Sequence, residues 1–169
     1  MSSTYEKIAT TTLGSAAASY TFSSIPATYT DLVLVVNNFY ATTSSPYLSL
    51  NFNSDTTSNY SSTHLEGNGT TASSNRFTAD TKMYFGYNIY STTVSIGMAI
   101  IQIMNYTNTT TYKTALGRIS IGSGAGAGTS TTVGLWKKTP EAINSVAVQN
   151  NAGNLPSGTV LTLYGIKSE

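Results

Sequence analysis

The chain has 169 residues, a formal charge of +1, 9% charged residues, 40% hydrophobic residues and no cysteine. That length suits one domain with a real core, while the lack of cysteine excludes disulfides and thiolate metal sites. Ser, Thr, Asn, Gly and Tyr stand where a soluble domain usually carries about 25% charge, and a neutral surface of this kind repels its neighbours weakly, which suits packing against copies of itself or a larger assembly.

The first residues lack the basic and then apolar order of a signal peptide. Tyr5 to Leu13 reads as a first strand, and Tyr20 and Phe22 alternate with small polar residues in a second. Asp31 to Tyr40 contains the run Leu32-Val33-Leu34-Val35-Val36, the pattern of a strand buried on both faces. Tyr47 to Asn53 alternates, with Leu48, Leu50 and Phe52 on one face. Ser54 to Asp80 is polar and reads as a long loop, of the kind that tends to carry function. Strands resume at Lys82 to Tyr90, Thr93 to Tyr106 and Tyr112 to Ile121. Gly122 to Gly128 reads as a flexible Gly-Ala loop. Thr132 to Lys137, Ile143 to Asn150 and Thr159 to Lys167 are three closing strands. Between them, Thr139 could cap a single helical turn over Pro140-Glu141-Ala142.

About ten strands without a longer helix predict an all-β, antiparallel β-sandwich, with a jelly roll as the preferred version and residues 1–169 as a single domain. The predicted core is Leu32, Leu34, Val36, Leu48, Leu50, Phe52, Ile96, Met98, Ile100, Ile119, Val146, Val148, Leu161 and Leu163. Val160, Thr162, Tyr164 and Ile166 fall on one face of the last strand and Leu161 and Leu163 on the other, so that strand should have neighbours on both sides. The longest apolar tract, Val94 to Met104, is broken by Ser95, Gly97 and Gln102 and falls short of the ~20 residues of a membrane helix. No membrane insertion is expected.

Residues with chemical potential are few. His64, the single histidine, could join Glu66, Asp55 and Asp80 in a metal or acid–base site, but a Ser/Thr/Asn loop offers no rigid frame for one. No Gly-x-Ser-x-Gly elbow supports a Ser-His-Asp reading. Gly122, Gly124, Gly126 and Gly128 lack the helix or the Gly-Lys-Ser/Thr ending of a phosphate loop. Nor do the few acidic residues mark a glycosidase pair. Asn-x-Ser/Thr matches at Asn59, Asn68, Asn105 and Asn108 are cheap in so Ser- and Thr-rich a chain and predict no glycan without secretion. Lys137-Lys138 is the only adjacent basic pair, so nucleic acid is not an expected partner. No catalytic, cofactor-binding or metal-binding residue is therefore assigned. The tyrosines are a different matter. Tyr40, Tyr47 and Tyr60 flank or enter the long loop, and Tyr84, Tyr87 and Tyr90 stand close together. Such flat amphipathic rings suit contact with a partner protein or a glycan. The plainer reading of each is cross-strand packing with its hydroxyl at a rim.

Three segments carry a family resemblance: AAASYTFSSIPATYTDLVLVV (Ala16 to Val36), YKTALGRISI (Tyr112 to Ile121) and LPSGTVLTLYGIK (Leu155 to Lys167). They resemble small jelly-roll virion structural proteins of tailed bacteriophages, which serve as capsid decoration or fibre-type modules. The resemblance implies a non-enzymatic virion protein, commonly a homotrimer, in contact with major capsid or tail proteins of the same particle. It transfers no catalytic residue and no cofactor. No heptads precede the strand pattern at Tyr5, which favours a capsid decoration or cement protein. The alternative is a tail-fibre or baseplate-associated subunit that recognises a host surface glycan.

Overall fold

In a computed structural model, residues 4–40, 47–86, 96–123, 126–151 and 153–167 are described. They form twelve strands and no helix: β1 (Tyr5–Thr12), β2 (Ser19–Phe22), β3 (Asp31–Phe39), β4 (Leu48–Phe52), β5 (Tyr60–Gly67), β6 (Ala72–Asp80), β7 (Met83–Phe85), β8 (Ile96–Ile103), β9 (Lys113–Ser123), β10 (Gly126–Trp136), β11 (Val146–Asn150) and β12 (Val160–Ile166). All pairings are antiparallel. The strands make an eight-stranded sheet, in the order β1-β12-β3-β8-β9-β10-β5-β6, and a four-stranded sheet, β2-β11-β4-β7. The chain alternates between the sheets from β1 to β4, at β7 and β8, and at β11 and β12. The hairpins β5-β6 and β9-β10 stay within the larger sheet and widen it. One hydrophobic cluster joins both sheets, so the architecture is a β-sandwich.

Strand alternation explains the core. Leu32, Leu34 and Val36 of β3, Leu161 and Leu163 of β12, Ala99 and Ile101 of β8 and Ile119 of β9 lie inside, opposite Leu50 and Phe52 of β4 and Val146 and Val148 of β11. As its two apolar faces suggest, β12 lies between β1 and β3. Where sheets come closest, glycine replaces a side chain. A Cβ on Gly117 would overlap Phe85, and one on Gly134 would overlap Met83, so β7 rests directly on the backbones of β9 and β10.

Several sequence expectations need correction. Ile96, Met98 and Ile100 point outward, at 61%, 46% and 38% exposure, and Gly97, Ala99 and Ile101 point inward. Both faces of β8 are apolar, so alternation alone could not choose. Space decides: the Phe39 ring fills the position above Gly97, where a Cβ would lie 2.7 Å from Phe39 Cζ. Ser54 to Asp80 is not a long loop but mostly the β5-β6 hairpin. Ser62, His64, Glu66, Ser73 and Asn75 of its inward face are polar, which hid the strand pattern. The Gly122 to Gly128 stretch ends β9 and begins β10; its Gly124 lies outside the described residues. Residues 139–142 form no helical turn. Asn53 holds that segment open, its Nδ2 donating to Ala142 O at 2.8 Å and its Oδ1 accepting from Asn144 N at 2.9 Å.

Candidate functional site

The widened part of the large sheet has a polar inward face. His64 and Thr132 are cross-strand partners on β5 and β10, and Glu66 and Ser130 are the next such pair. His64 Nδ1 and Thr132 Oγ1 are 2.9 Å apart, and His64 Nε2 and Ser62 Oγ 3.0 Å. Burial pushes the imidazole down to about 4, so it is neutral near pH 7. By distance Ser62 and His64 form a nucleophile–base pair. Both are sealed from solvent, and a base of such low pKa is poorly matched to neutral pH.

Burial also raises the pKa of Glu66, against hydrogen bonds to its Oε2 from Asn75 (3.2 Å) and Ser73 (3.4 Å). Glu66 Oε1 and Ser130 Oγ make no hydrogen bond with the described residues. Asp55 belongs to another cluster. Its carboxylate accepts from Thr57 N (3.0 Å), Thr57 Oγ1 (2.6 Å), Asn59 Nδ2 (3.0 Å) and Trp136 Nε1 (2.7 Å). Asp80 ends β6. Among the described residues no three His, Cys, Asp or Glu side chains come together as metal ligands.

The tyrosines separate into different environments. Tyr60 is fully buried: its ring stacks on Trp136 at 6.3 Å and its hydroxyl donates to Asp55 O at 3.1 Å. It faces no partner and is withdrawn from the candidate surface. Tyr47 and Tyr84 are half-buried and meet edge to face at 5.4 Å. Phe77 packs on Tyr84 at 5.3 Å. Tyr40 is half-buried at the end of β3. Tyr87 and Tyr90 lie outside the described residues. Asn68 and Asn108 turn their carbonyl oxygens onto the backbone N–H groups of Thr70 and Thr71 and of Thr110 and Thr111, closing two similar turns.

The outward face of the eight-stranded sheet is the larger feature. Ile96, Met98 and Ile100 of β8, Leu116 of β9, Val133 of β10 and Leu65 of β5 are all exposed there. Leu116 and Val133 are cross-strand partners, Gln102 separates Leu116 from β3 in the ladder, and Leu65 stands diagonal to Val133. The register places Lys7, Asp31, Arg76 and Arg118 as the charged residues of this face among those described. Asp31 is already engaged, by Gln102 Nε2 at 3.2 Å and Asn105 N at 2.7 Å. At one end of the sheet, a groove of about 820 Å³ continues the apolar surface over Ile96, Met98, Ile121 and several glycines, with no charged residue in its lining. An exposed apolar patch of this kind marks an interaction surface.

No family model matches this chain. No curated protein matches it either. Among solved structures it is similar to a scytalido-glutamic peptidase crystallised with a peptide-based transition-state analogue, at 11% identity and a TM-score of 0.25. The likeness covers 91% of this chain and 64% of that one. At that score it says nothing about the chemistry of either chain.

The outward face was hidden in the sequence because strand β8, read IGMAIIQI, is apolar on both parities. The visible signal was the deficit of charge, which concerns the whole surface and names no part of it.

Proposed function

We propose that the protein is a non-enzymatic structural protein of a tailed-phage particle, a capsid decoration protein that docks through the outward face of its eight-stranded sheet. The observation that carries this reading is the connected apolar surface of Leu65, Ile96, Met98, Ile100, Leu116 and Val133. Asp31 already accepts hydrogen bonds from Gln102 and Asn105, Lys7 and Arg76 lie on the outermost strands, and Arg118 sits within the patch opposite Ile100, so the face fits an apolar, neutral-to-acidic area of a shell. The link to a phage rests on the three sequence segments given above. The strand orders β1-β12-β3-β8 and β2-β11-β4-β7 support reading the sandwich as a jelly roll with β5-β6 and β9-β10 as inserted hairpins.

The test is co-sedimentation with empty heads of the phage that encodes the chain. The protein should travel with heads, and Leu116→Asp with Val133→Asp should abolish this while leaving the circular dichroism unchanged, since both residues are already exposed. Binding that survives the double change overturns the docking face. No binding to heads overturns the decoration reading.

One observation favours a second reading, a tail-associated subunit for a host glycan. Tyr47 and Tyr84 form a half-buried edge-to-face pair beside Phe77, and such rings stack on sugars. Retention on a glycan array, lost with Tyr47→Ala and Tyr84→Ala together, would select it over decoration.

A further inference from the structure

Among the described residues, four strands stand at sheet ends: β1, β6, β2 and β7. An end strand offers a row of unpaired N–H and C=O groups, and proteins protect such rows with short strands, charges, prolines or bulges. β2 and β7 are short, at four and three residues. β1 has Glu6 and Lys7 in sequence and a bulge between Lys7 and Ala9. β6 has nine residues, and over its first part its single defence is the charge of Arg76. From Ala72 to Arg76 it pairs with β5 in unbroken register, and its irregularity comes only after Phe77. This stretch, ASSNR, has no proline, no lysine and no acidic residue. Its side chains are exposed on both faces except Asn75.

We propose that β6 is an assembly edge, along which two copies of this chain pair antiparallel about a two-fold axis at Ser74 and join their eight-stranded sheets into one. Pleating limits the choice of register. A two-fold axis through a residue pairs side chains of the same face, whereas one between residues would set inward side chains against outward ones. An axis at Arg76 would place two guanidinium groups opposite each other, which is unfavourable. An axis at Ser74 uses all five residues, with Ala72 opposite Arg76 and Ser73 opposite Asn75. The partner is a second copy because the edge is then self-complementary, and with a formal charge of +1 two chains repel weakly. The axis is perpendicular to the sheet, so both outward faces look the same way and the pair could dock with both. The family resemblance implies three copies; edge pairing implies two.

Light scattering of the purified chain should give twice the 17.8 kDa of one copy. Ser74→Lys, which sets two ammonium groups across the axis, should return it to one copy with its circular dichroism unchanged. The chain has no cysteine, so Ser74→Cys supplies a clean cross-link. Directly opposed residues lie about 4.5–5.5 Å apart at Cα, within reach of a disulfide. Mild oxidation should link most Ser74→Cys protein as dimer and little Ala72→Cys protein. A single copy at tens of micromolar, a trimer, or equal cross-linking at both sites overturns the edge. Head binding by a single copy would do so while leaving the docking reading in place.

Discussion

The ring of Tyr29 lies flat against Gly165, filling the space that any Cβ there would need. Tyr29 precedes β3 and Gly165 is in β12, so the contact joins two of the segments on which the family resemblance rests. The Tyr29 hydroxyl donates to Glu6 Oε2 at 3.2 Å, Glu6 pairs with Lys167 at 2.7 Å, and Lys167 Nζ stands 5.8 Å from the Tyr29 ring centre. Tyr29, Gly165 and Lys167, with Glu6, are thus one packing unit. Gly165→Ala must displace a rigid ring, and should cost ~1–3 kcal/mol. Gly122→Ala, with open space around it, should change the unfolding midpoint little. Denaturant unfolding of the two variants checks the contrast.

Asp55 should hold the β4-β5 turn to Trp136 through charge. Burial alone would raise its pKa, but the donors Thr57, Asn59 and Trp136 outweigh burial and hold the carboxyl well below the usual range. A depressed carboxyl contributes stability above its unfolded value, near 4, and loses that contribution as pH falls toward its folded value. Trp136→Phe keeps the ring stack but removes the 2.7 Å hydrogen bond to a buried carboxylate. It should cost ~1.5–3 kcal/mol at pH 7. Asp55→Asn should flatten the loss of stability below pH ~4. Urea titrations from pH 7 to pH 2 read both effects.

These two clusters differ in how far the sequence announced them. The buried β3 and β12 strands were legible because Leu32 to Val36 and Val160 to Ile166 carry their pattern locally. The β5-β6 hairpin was not. Its inward residues are Tyr60, Ser62, His64 and Glu66 on β5, and polarity there reads as loop until partners such as Thr132 and Asn75, far along the chain, are placed beside them. Tyr60 looked like a surface ring for the same reason. Its partners Trp136 and Asp55 meet it only through tertiary pairing. The direction of β8 depended on a single steric fact, the Phe39 ring over Gly97, which no periodicity contains.

His64 gives a second pH dependence, in a different window. Burial lowers its folded pKa from 6.5 to about 4, so below pH 6.5 the unfolded chain takes up a proton that the folded chain refuses. Stability from this residue is complete above pH ~6.5 and falls as pH drops toward ~4, by about 3 kcal/mol in all. Glu66 acts in the opposite sense. Its raised pKa disfavours the folded state when ionised, and protonation at lower pH relieves this. The difference between wild type and His64→Gln isolates the histidine. That difference should shrink steadily from pH 7 to pH 4. A constant offset would mean that the fold does not shift the imidazole pKa, and a difference that grows toward low pH would mean that the fold holds the imidazole protonated.

The inside-out assignment of β8 yields the sharpest paired test. Ile100 and Ile101 are adjacent, chemically identical and on opposite faces, at 38% and 0% exposure. Ile101 packs in the core over Gly117, whose Cβ would come within 3.2 Å of Ile101 Cγ1. Ile101→Ala should leave a cavity there and cost ~2–5 kcal/mol. Ile100→Ala removes only an exposed methyl-rich side chain, and should stay within ~0.5 kcal/mol in the isolated protein. If the face docks on a shell, the order reverses for binding: Ile100→Ala weakens co-sedimentation with heads, and folded Ile101→Ala does not. A larger loss of stability at Ile100 than at Ile101 would mean that β8 turns its other face to the core, and the docking surface would fall with it.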